Sequence, residues 1–393
     1  MRKKPSPQKL LLQIIGTALI LGLLVGCSAP AVAPTPLPPT VSVTPPPVPP
    51  TATPAPPPTS TRTPTPTEEN RADGLSDEEV ATLSSLEQVD DYPLYTMHYC
   101  GAYHQRRASA EGGQGLVRAD PPTPNLAAGP PPWACSLFAA LGDADHMLYG
   151  RNFDWQYSPA VLLFTDPPDG HASVSMVDIA YLGFGRGKAD TLTDLPLTER
   201  RALLDTPFMP FDGMNEHGLV VGMAAVPGSG MPQDRDKETA DSLMVIRKML
   251  DQAHDVDEAL AILQSYNIEW GGGPPLHYLI ADSSGRSVLV EFYAGEMVIL
   301  PNETPWHLAT NHLRAIANEA GPSGCWRYDR LYQRLTETEG QLTPQEAIDL
   351  LAEVSQGNTQ WSVVYGMSSG DINVTMGRQC DSLHTFHLSS AGQ

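Results

Sequence analysis

Cys135-Ser136-Leu137-Phe138-Ala139-Ala140-Leu141, a polar turn at Gly142–Asp145, and then Leu148-Tyr149-Gly150-Arg151-Asn152-Phe153-Asp154-Trp155 form the stretch that decides how this chain folds. Two apolar runs joined by a tight polar turn predict a β-hairpin. Pairing the runs brings the Arg151 guanidinium and the Asp154 carboxylate back toward the Cys135 thiol. A nucleophile, a cation that favours its thiolate and an acid that orients a base then share two adjacent strands.

Working outward, strand-like periodicity dominates. Val161–Thr165 and Ala172–Ile179 flank the turn Asp166-Pro167-Pro168-Asp169-Gly170, and Met209–Met214 and Gly218–Val226 flank Asn215-Glu216-His217. Helical spacing of apolar residues follows over Ser242–Ala253 and Val256–Leu263. Strands are predicted at Leu276–Ala281, Ser287–Phe292, Met297–Leu300 and His307–Thr310, helices at Trp326–Thr336 and Pro344–Glu353, and strands again at Trp361–Tyr365, Ile372–Thr375 and Leu383–Leu388. Upstream, Ser76-Asp77-Glu78-Glu79-Val80 reads as an N-cap and acidic first turn of a short helix. Tyr92–Tyr103 is strand-like, and Ala108–Pro132, rich in Gly and Pro, is an exposed loop. Blocks of hairpins alternating with helix pairs predict an α+β protein with two sheets packed face to face and helices outside.

The first 27 residues have the plan of an export signal. Arg2, Lys3, Lys4 and Lys9 precede the apolar run Leu10–Val25, which closes in Leu24-Val25-Gly26-Cys27. That ending resembles the lipobox of bacterial lipoproteins, which implies acylation of Cys27 and a chain held at the outer face of the cytoplasmic membrane through its N-terminal lipid alone. Residues 28–74 read as a disordered stalk: Ser28–Thr67 is dominated by Pro and Thr, cannot bury a core, and spans about 120 Å when extended at ~3 Å per residue. The remaining ~320 residues suffice for a large core. A net charge of -21 with no basic stripe excludes a nucleic-acid partner.

A thiol at neutral pH is mostly protonated, and one base is available only at a chain terminus: the cysteine's own α-amino group. Cutting the Ala134–Cys135 bond supplies it. Here the chain resembles the choloylglycine hydrolase-type linear-amide C–N hydrolases, N-terminal-nucleophile enzymes that include bile salt hydrolases, penicillin V acylases, acid ceramidase and N-acylethanolamine acid amidase. The resemblance rests on Cys135 with Gly150-Arg151-Asn152-Phe153-Asp154, on Asp212-Gly213-Met214-Asn215-Glu216-His217-Gly218-Leu219, on Ala309-Thr310-Asn311-His312 and on Trp326-Arg327-Tyr328-Asp329-Arg330.

The resemblance implies a four-layer αββα sandwich over residues 135–393. It implies Cys135 as nucleophile and base, Arg151 favouring the thiolate, Asp154 holding the amine, Asn311 donating its amide N–H to the oxyanion, and Arg327 bracing the site, with Arg330 one turn on as the alternative brace. Substrate contacts are expected from Asn215, Met223 and Ala225, on a wall more apolar than in the bile-salt and penicillin enzymes. By analogy with acid ceramidase, residues 75–134 are expected to be cleaved off yet stay docked. The activity implied is hydrolysis of a small N-acyl amide. The alternatives are acyl transfer to an amine from the same acyl-cysteine, or a substrate-binding lipoprotein that has lost activity, for which a Cys135 no more reactive than Cys325 toward iodoacetamide would speak. Cys100, Cys325 and Cys380 permit one disulfide and one odd thiol. His98, Cys100 and His104 fit no common metal site and are read as packing residues, so no metal and no cofactor is expected.

Overall fold

The computed structural model describes residues 74–104, 134–227, 233–316 and 324–389. Cys27, the expected export signal, all of the expected stalk but its last residue and the loop before Ala134 lie outside the described residues. None of the described helices is long and apolar enough to cross a membrane.

Two sheets organise the fold. The larger has nine strands: β1 (Glu87–Asp90), β2 (Leu94–Tyr99), β5 (Ala160–Thr165), β6 (Ser173–Asp178), β7 (Asp212–Asn215), β8 (Val220–Ala225), β11 (Leu276–Ala281), β12 (Ser287–Tyr293) and β13 (Glu296–Pro301), in that spatial order. The smaller orders β14 (Trp306–Ala309), β3 (Ala134–Ala140), β4 (Leu148–Asp154), β15 (Thr359–Gly366), β16 (Asp371–Met376) and β17 (His384–His387). A parallel pair, β9 (Glu238–Asp241) and β10 (Tyr266–Glu269), stands apart. Helix α1 is Asp77–Ser84, α2 Met244–Gln252, α3 Val256–Gln264, α4 Trp326–Glu337 and α5 Pro344–Glu353.

Strand alternation explains the layers. On β3 and β4, Cys135, Leu137, Ala139, Tyr149, Arg151 and Phe153 face the larger sheet, and the Tyr149 hydroxyl donates across to the Leu279 carbonyl at 3.0 Å. Ser136, Phe138, Ala140 and Asn152 face the other way. There Phe138, Ala140 and Leu148 pack with Tyr328, Leu331 and Leu335 of α4 and Ile348 and Leu351 of α5 in a second apolar cluster. Helices α2 and α3 cover the outer face of the larger sheet, Asn215 reaching from β7 to the end of α2. The result is αββα. Close approach needs glycine at two points: a Cβ on Gly222 would lie 2.5 Å from the Tyr149 hydroxyl, and one on Gly150 would lie 2.4 Å from the Phe138 ring.

Each strand and helix expected from the sequence between Val161 and Leu388 has its counterpart, within a few residues. Three features escaped the pattern: β1, the β9–β10 pair, and the 3-10 turns over Ile179–Leu182, Ala189–Asp194 and Leu197–Phe208. The segment upstream of Cys135 is also more deeply built in than a docked appendage. Strand β2 pairs parallel with β5, Leu94 opposite Ala160 through Tyr99 opposite Thr165, and makes the edge of the larger sheet with β1.

Candidate active site

The hairpin read from the sequence is present, with Cys135 opposite Phe153, Leu137 opposite Arg151 and Ala134 opposite Asp154. Parity divides its charged pair. Three residues apart on one strand, Arg151 and Asp154 project to opposite faces. Arg151 shares the inter-sheet face with Cys135, its Nη2 donating toward Sγ at 3.9 Å. Asp154 stands at the strand end beside Ala134, the residue before the bond expected to be cut, and accepts from Thr359 Oγ1 and from Gln356 Nε2.

Two polar side chains hold the backbone of Cys135. Its N–H donates to Asn311 Oδ1 at 2.6 Å, and its carbonyl accepts from Arg327 Nη1, which also donates to Ser136 Oγ at 3.0 Å. Arg327 Nη2 donates to Asn311 Oδ1 at 3.0 Å. Arg327 is therefore the arginine in contact with the Cys135 backbone. Arg330 is a half-exposed partner of Glu353 and takes no part. Asn311 Nδ2 donates to the Ala225 carbonyl at 2.7 Å, which leaves one of its two hydrogens for the oxyanion role the resemblance implies.

The Arg151 charge is balanced elsewhere. Arg151 donates to the Phe211 carbonyl at 2.8 Å and forms a fully buried ion pair with Asp212, which also accepts from the Tyr365 hydroxyl. Burial opposes the guanidinium charge, but Asp212 and then the Cys135 sulfur outweigh it and hold its pKa above the ordinary value. Burial pushes the Cys135 thiol up, Arg151 pulls it down, Asp154 pushes it up, and the net is upward. In the uncut chain, then, Cys135 is a protonated thiol. Asp154 is likewise lifted above the usual carboxylate range by burial, against the bonds from Thr359 and Gln356.

Cys325 is the opposite case. Burial raises it, but bonds from His312, Thr310 and the α4 backbone, with Arg327 nearby, bring it down to about 6. Cys325 is thus the more acidic thiol before cleavage, and alkylation of the uncut chain does not separate an active from an inactive Cys135. None of Cys100, Cys325 and Cys380 is disulfide-bonded, so the one pair permitted by the sequence does not form among the described residues.

The expected substrate contacts fare differently. Asn215 points away from Cys135: its Nδ2 donates to the Leu250 and Ala253 carbonyls at the end of α2, and its Oδ1 accepts from the His217 and Leu219 backbones. Met223 alternates with Gly222, which faces the smaller sheet, and so points to the helical side. Ala225 reaches the site through its carbonyl. His98 stacks on Phe164 with centroids 4.8 Å apart and His104 lies 3.5 Å from Asp251, as packing groups do. A cavity of about 310 Å³ lined by His104, Phe208, Arg247 and Asp251 contains none of the Cys135 set.

Two supports were not read as such from the sequence. Asp212 was quoted only as part of a motif. His277 and Glu291, both fully buried and paired at 3.1 Å, hold the loop that carries Asn311: His277 Nε2 meets the Thr310 carbonyl at 2.8 Å, and Glu291 accepts from the Arg314 and Ala315 backbones. Their positions on neighbouring strands, exactly opposite only once β11 and β12 are paired, gave no local signal.

Fold and site together define an αββα sandwich in which Asn311, Arg327 and Arg151 converge on a buried Cys135. Residues 206–371 match the family described as acyl-coenzyme A:6-aminopenicillanic acid acyl-transferase. That stretch holds Asp212, Asn311 and Arg327, though not the Cys135 hairpin. An uncharacterized protein of Paramecium bursaria Chlorella virus 1 is 31% identical over 113 residues, 25% of this chain and 38% of that protein's length. Among solved structures, a mutant conjugated bile acid hydrolase from Clostridium perfringens aligns with 15% identity over 65% of this chain and 92% of its own, at a TM-score of 0.47. A penicillin V acylase from Agrobacterium tumefaciens aligns with 16% identity over 65% and 86%, at 0.45.

Proposed function

We propose that this chain is an exported, lipid-anchored amidase that frees its own nucleophile by cutting the Ala134–Cys135 bond and then hydrolyses linear amides of apolar acyl groups. One observation carries the reading: the backbone N–H, backbone carbonyl and sulfur of Cys135 are each engaged by a different site residue, Asn311, Arg327 and Arg151.

In the first step Sγ attacks the Ala134 carbonyl carbon, the thiol proton passes to the departing Cys135 nitrogen, and water hydrolyses the resulting thioester. Asp154, opposite Ala134, lies where it receives the new ammonium group. The six-residue β2–β5 ladder retains the released upstream piece. In turnover the free amine takes the thiol proton, Sγ accepts the acyl group, the protonated amine returns its proton to the leaving nitrogen, and water releases the acid. The sulfur is buried in the uncut chain, so processing precedes turnover. Phe153, Trp361 and Phe211, with centroids 4.1 and 5.2 Å from Phe153, form an aromatic wall beside Cys135 that favours an apolar acyl group. The anchor rests on the Leu24–Cys27 sequence.

Incubating the processed protein with N-acyl amino acids, N-acylethanolamines, acyl-homoserine lactones, bile conjugates and penicillin V, and quantifying free acid, tests the reading. Acid released by the parent and not by Cys135→Ala is the expected result; release by both contradicts it. The acyl-transferase description of the matched family favours a second reading, in which the acyl group passes to an amine. Adding 6-aminopenicillanic acid or other amines to the same assay separates the two: an N-acylated product exceeding free acid marks a transferase, and water outcompeting every amine excludes it.

A further inference from the structure

At one end of the larger sheet three histidines from three separate connections converge. His171 closes the β5–β6 turn, His217 sits in the β7–β8 turn, and His254 occupies the junction between α2 and α3. One ring nitrogen from each lies within 4.8 Å of the others. His217 Nε2 and His171 Nδ1 are 3.2 Å apart, and ring centroids are 4.3 to 4.5 Å apart around the trio. A tetrahedral ion with metal–nitrogen bonds of ~2.05 Å needs nitrogens about 3.4 Å apart, so the His171–His217 pair at 3.2 Å already has the separation required, and the His254 nitrogen lies within 4.8 Å of both.

Two further observations point to a ligand rather than to packing. Glu258 Oε2 accepts from the His254 backbone N–H and lies 2.8 Å from His254 Nδ1, which fixes the proton on Nδ1 and leaves Nε2 as a lone-pair donor. A carboxylate behind a ligating imidazole is the usual way such rings are oriented and made more basic. Glu216 Oε1 stands 3.8 Å from His171 Nδ1, held by the Ala172 N–H. Two carboxylates beside the three imidazoles offset the double positive charge of a bound ion.

The three connections are also fixed to one another before any ion arrives. The His171 N–H donates to the Asp251 carbonyl at 2.9 Å, and Asn215, whose Oδ1 accepts from the His217 N–H, donates to the Leu250 and Ala253 carbonyls. Both turns are thus bonded to the last turn of α2, which leads into His254. The cluster is only half-buried, so an ion has an entry path and a coordination position open to water.

We propose that His171, His217 and His254 bind one first-row divalent cation of the zinc class, separate from the Cys135 centre, and that the ion staples the two turns to the α2–α3 junction. Nitrogen donors suit zinc, nickel and copper over calcium or magnesium. The sequence expectation of no metal considered only His98, Cys100 and His104; this trio is invisible there because its members lie 46 and 37 positions apart. The staple pins the far end of β7, the strand whose first residue, Asp212, holds Arg151.

The test uses the tag-free full chain, stripped with chelator, titrated with zinc chloride by calorimetry and with cobalt chloride by visible absorption. One ion per chain with micromolar or tighter affinity, a d–d band of nitrogen-bound cobalt, and a melting temperature raised by roughly 5 °C at a hundredfold excess over Kd are expected. His254→Ala, at an exposed position, should weaken binding at least tenfold, and Glu258→Gln about tenfold. Cys135→Ala and Cys325→Ser should bind as the parent does. Absence of stoichiometric binding to the parent overturns the proposal, as does undiminished binding in a His254→Ala or His171→Ala/His217→Ala chain whose circular dichroism shows it folded.

Discussion

Replacing Arg151 by Met removes the cation of the buried pair while keeping most of its volume, and leaves Asp212 with no counter-charge in a site where both side chains are wholly buried. Breaking such a pair from one side costs about 3–5 kcal/mol, because the remaining charge is neither solvated nor paired. Asp212→Asn should cost a similar amount for the mirrored reason. The double variant Arg151→Met/Asp212→Asn has no charge left to strand, and Tyr365 keeps an oxygen to donate to, so it should recover most of the loss. Urea unfolding followed by tryptophan fluorescence reads the cycle, with a coupling of about 3 kcal/mol expected. The sulfur reports the same pair. At 3.9 Å and an effective dielectric of ~20, the guanidinium favours the thiolate by about 4 kcal/mol, an upper bound of ~3 pH units on the thiol's midpoint. In a Cys325→Ser background, the pH midpoint of Cys135 alkylation should therefore rise in Arg151→Met, and by less in the double variant. Single costs that add to within ~0.5 kcal/mol, or a midpoint that does not move, would refute the claim that Asp212 meters the charge Arg151 presents to the sulfur.

Three other outcomes follow from the geometry. Asn311→Ala deletes the acceptor of the Cys135 N–H and the expected oxyanion donor, so kcat on any accepted amide should fall by about 10²–10³-fold, as steady-state kinetics will show. Gly222→Ala drives a Cβ to 2.5 Å from the Tyr149 hydroxyl and should cost about 1–3 kcal/mol in urea unfolding, part of which Tyr149→Phe in the same chain restores. Burial pushes the Asp178 carboxyl from 3.8 up to about 7, so the fold holds its proton and gains stability that is complete below pH 4 and lost as the pH rises to 7. Asp178→Asn, which still accepts the Ala180 N–H, should thus match the parent's unfolding free energy in urea near pH 4 and exceed it at pH 8 by up to about 4 kcal/mol; a difference independent of pH would contradict the assignment.

The hairpin and most of the strands were legible because local chemistry declares them: Leu137–Leu141 is apolar with a polar turn after it, and the α5 start carries a capping box at Thr343 and Glu346 under Pro344. What was not legible depends on registry between distant strands. The spacing of Arg151 and Asp154 looked like one neighbourhood until parity placed them on opposite faces. Asp212 is ordinary in sequence and becomes decisive only where β7 passes beneath β4. Asn215 has the look of a substrate contact, yet its two carbonyl partners lie at the end of a helix 35 and 38 residues on. The sequence offers Arg327 and Arg330 one turn apart, and only the fold shows Arg327 bonded to the Cys135 carbonyl and Asn311 while Arg330 pairs with Glu353. Its expectation that Arg151 favours the thiolate has the right sign, but burial outweighs it in the uncut chain.

The proposal stands on where the mature chain begins. The intact mass of the purified protein, with N-terminal sequencing of each fragment, is the direct measurement. Two fragments that together exceed the parent by one water, one of them beginning at Cys135, are expected, with Cys135→Ala remaining a single chain. A protein that hydrolyses amides while still uncut, or one cut at a bond other than Ala134–Cys135, would contradict it.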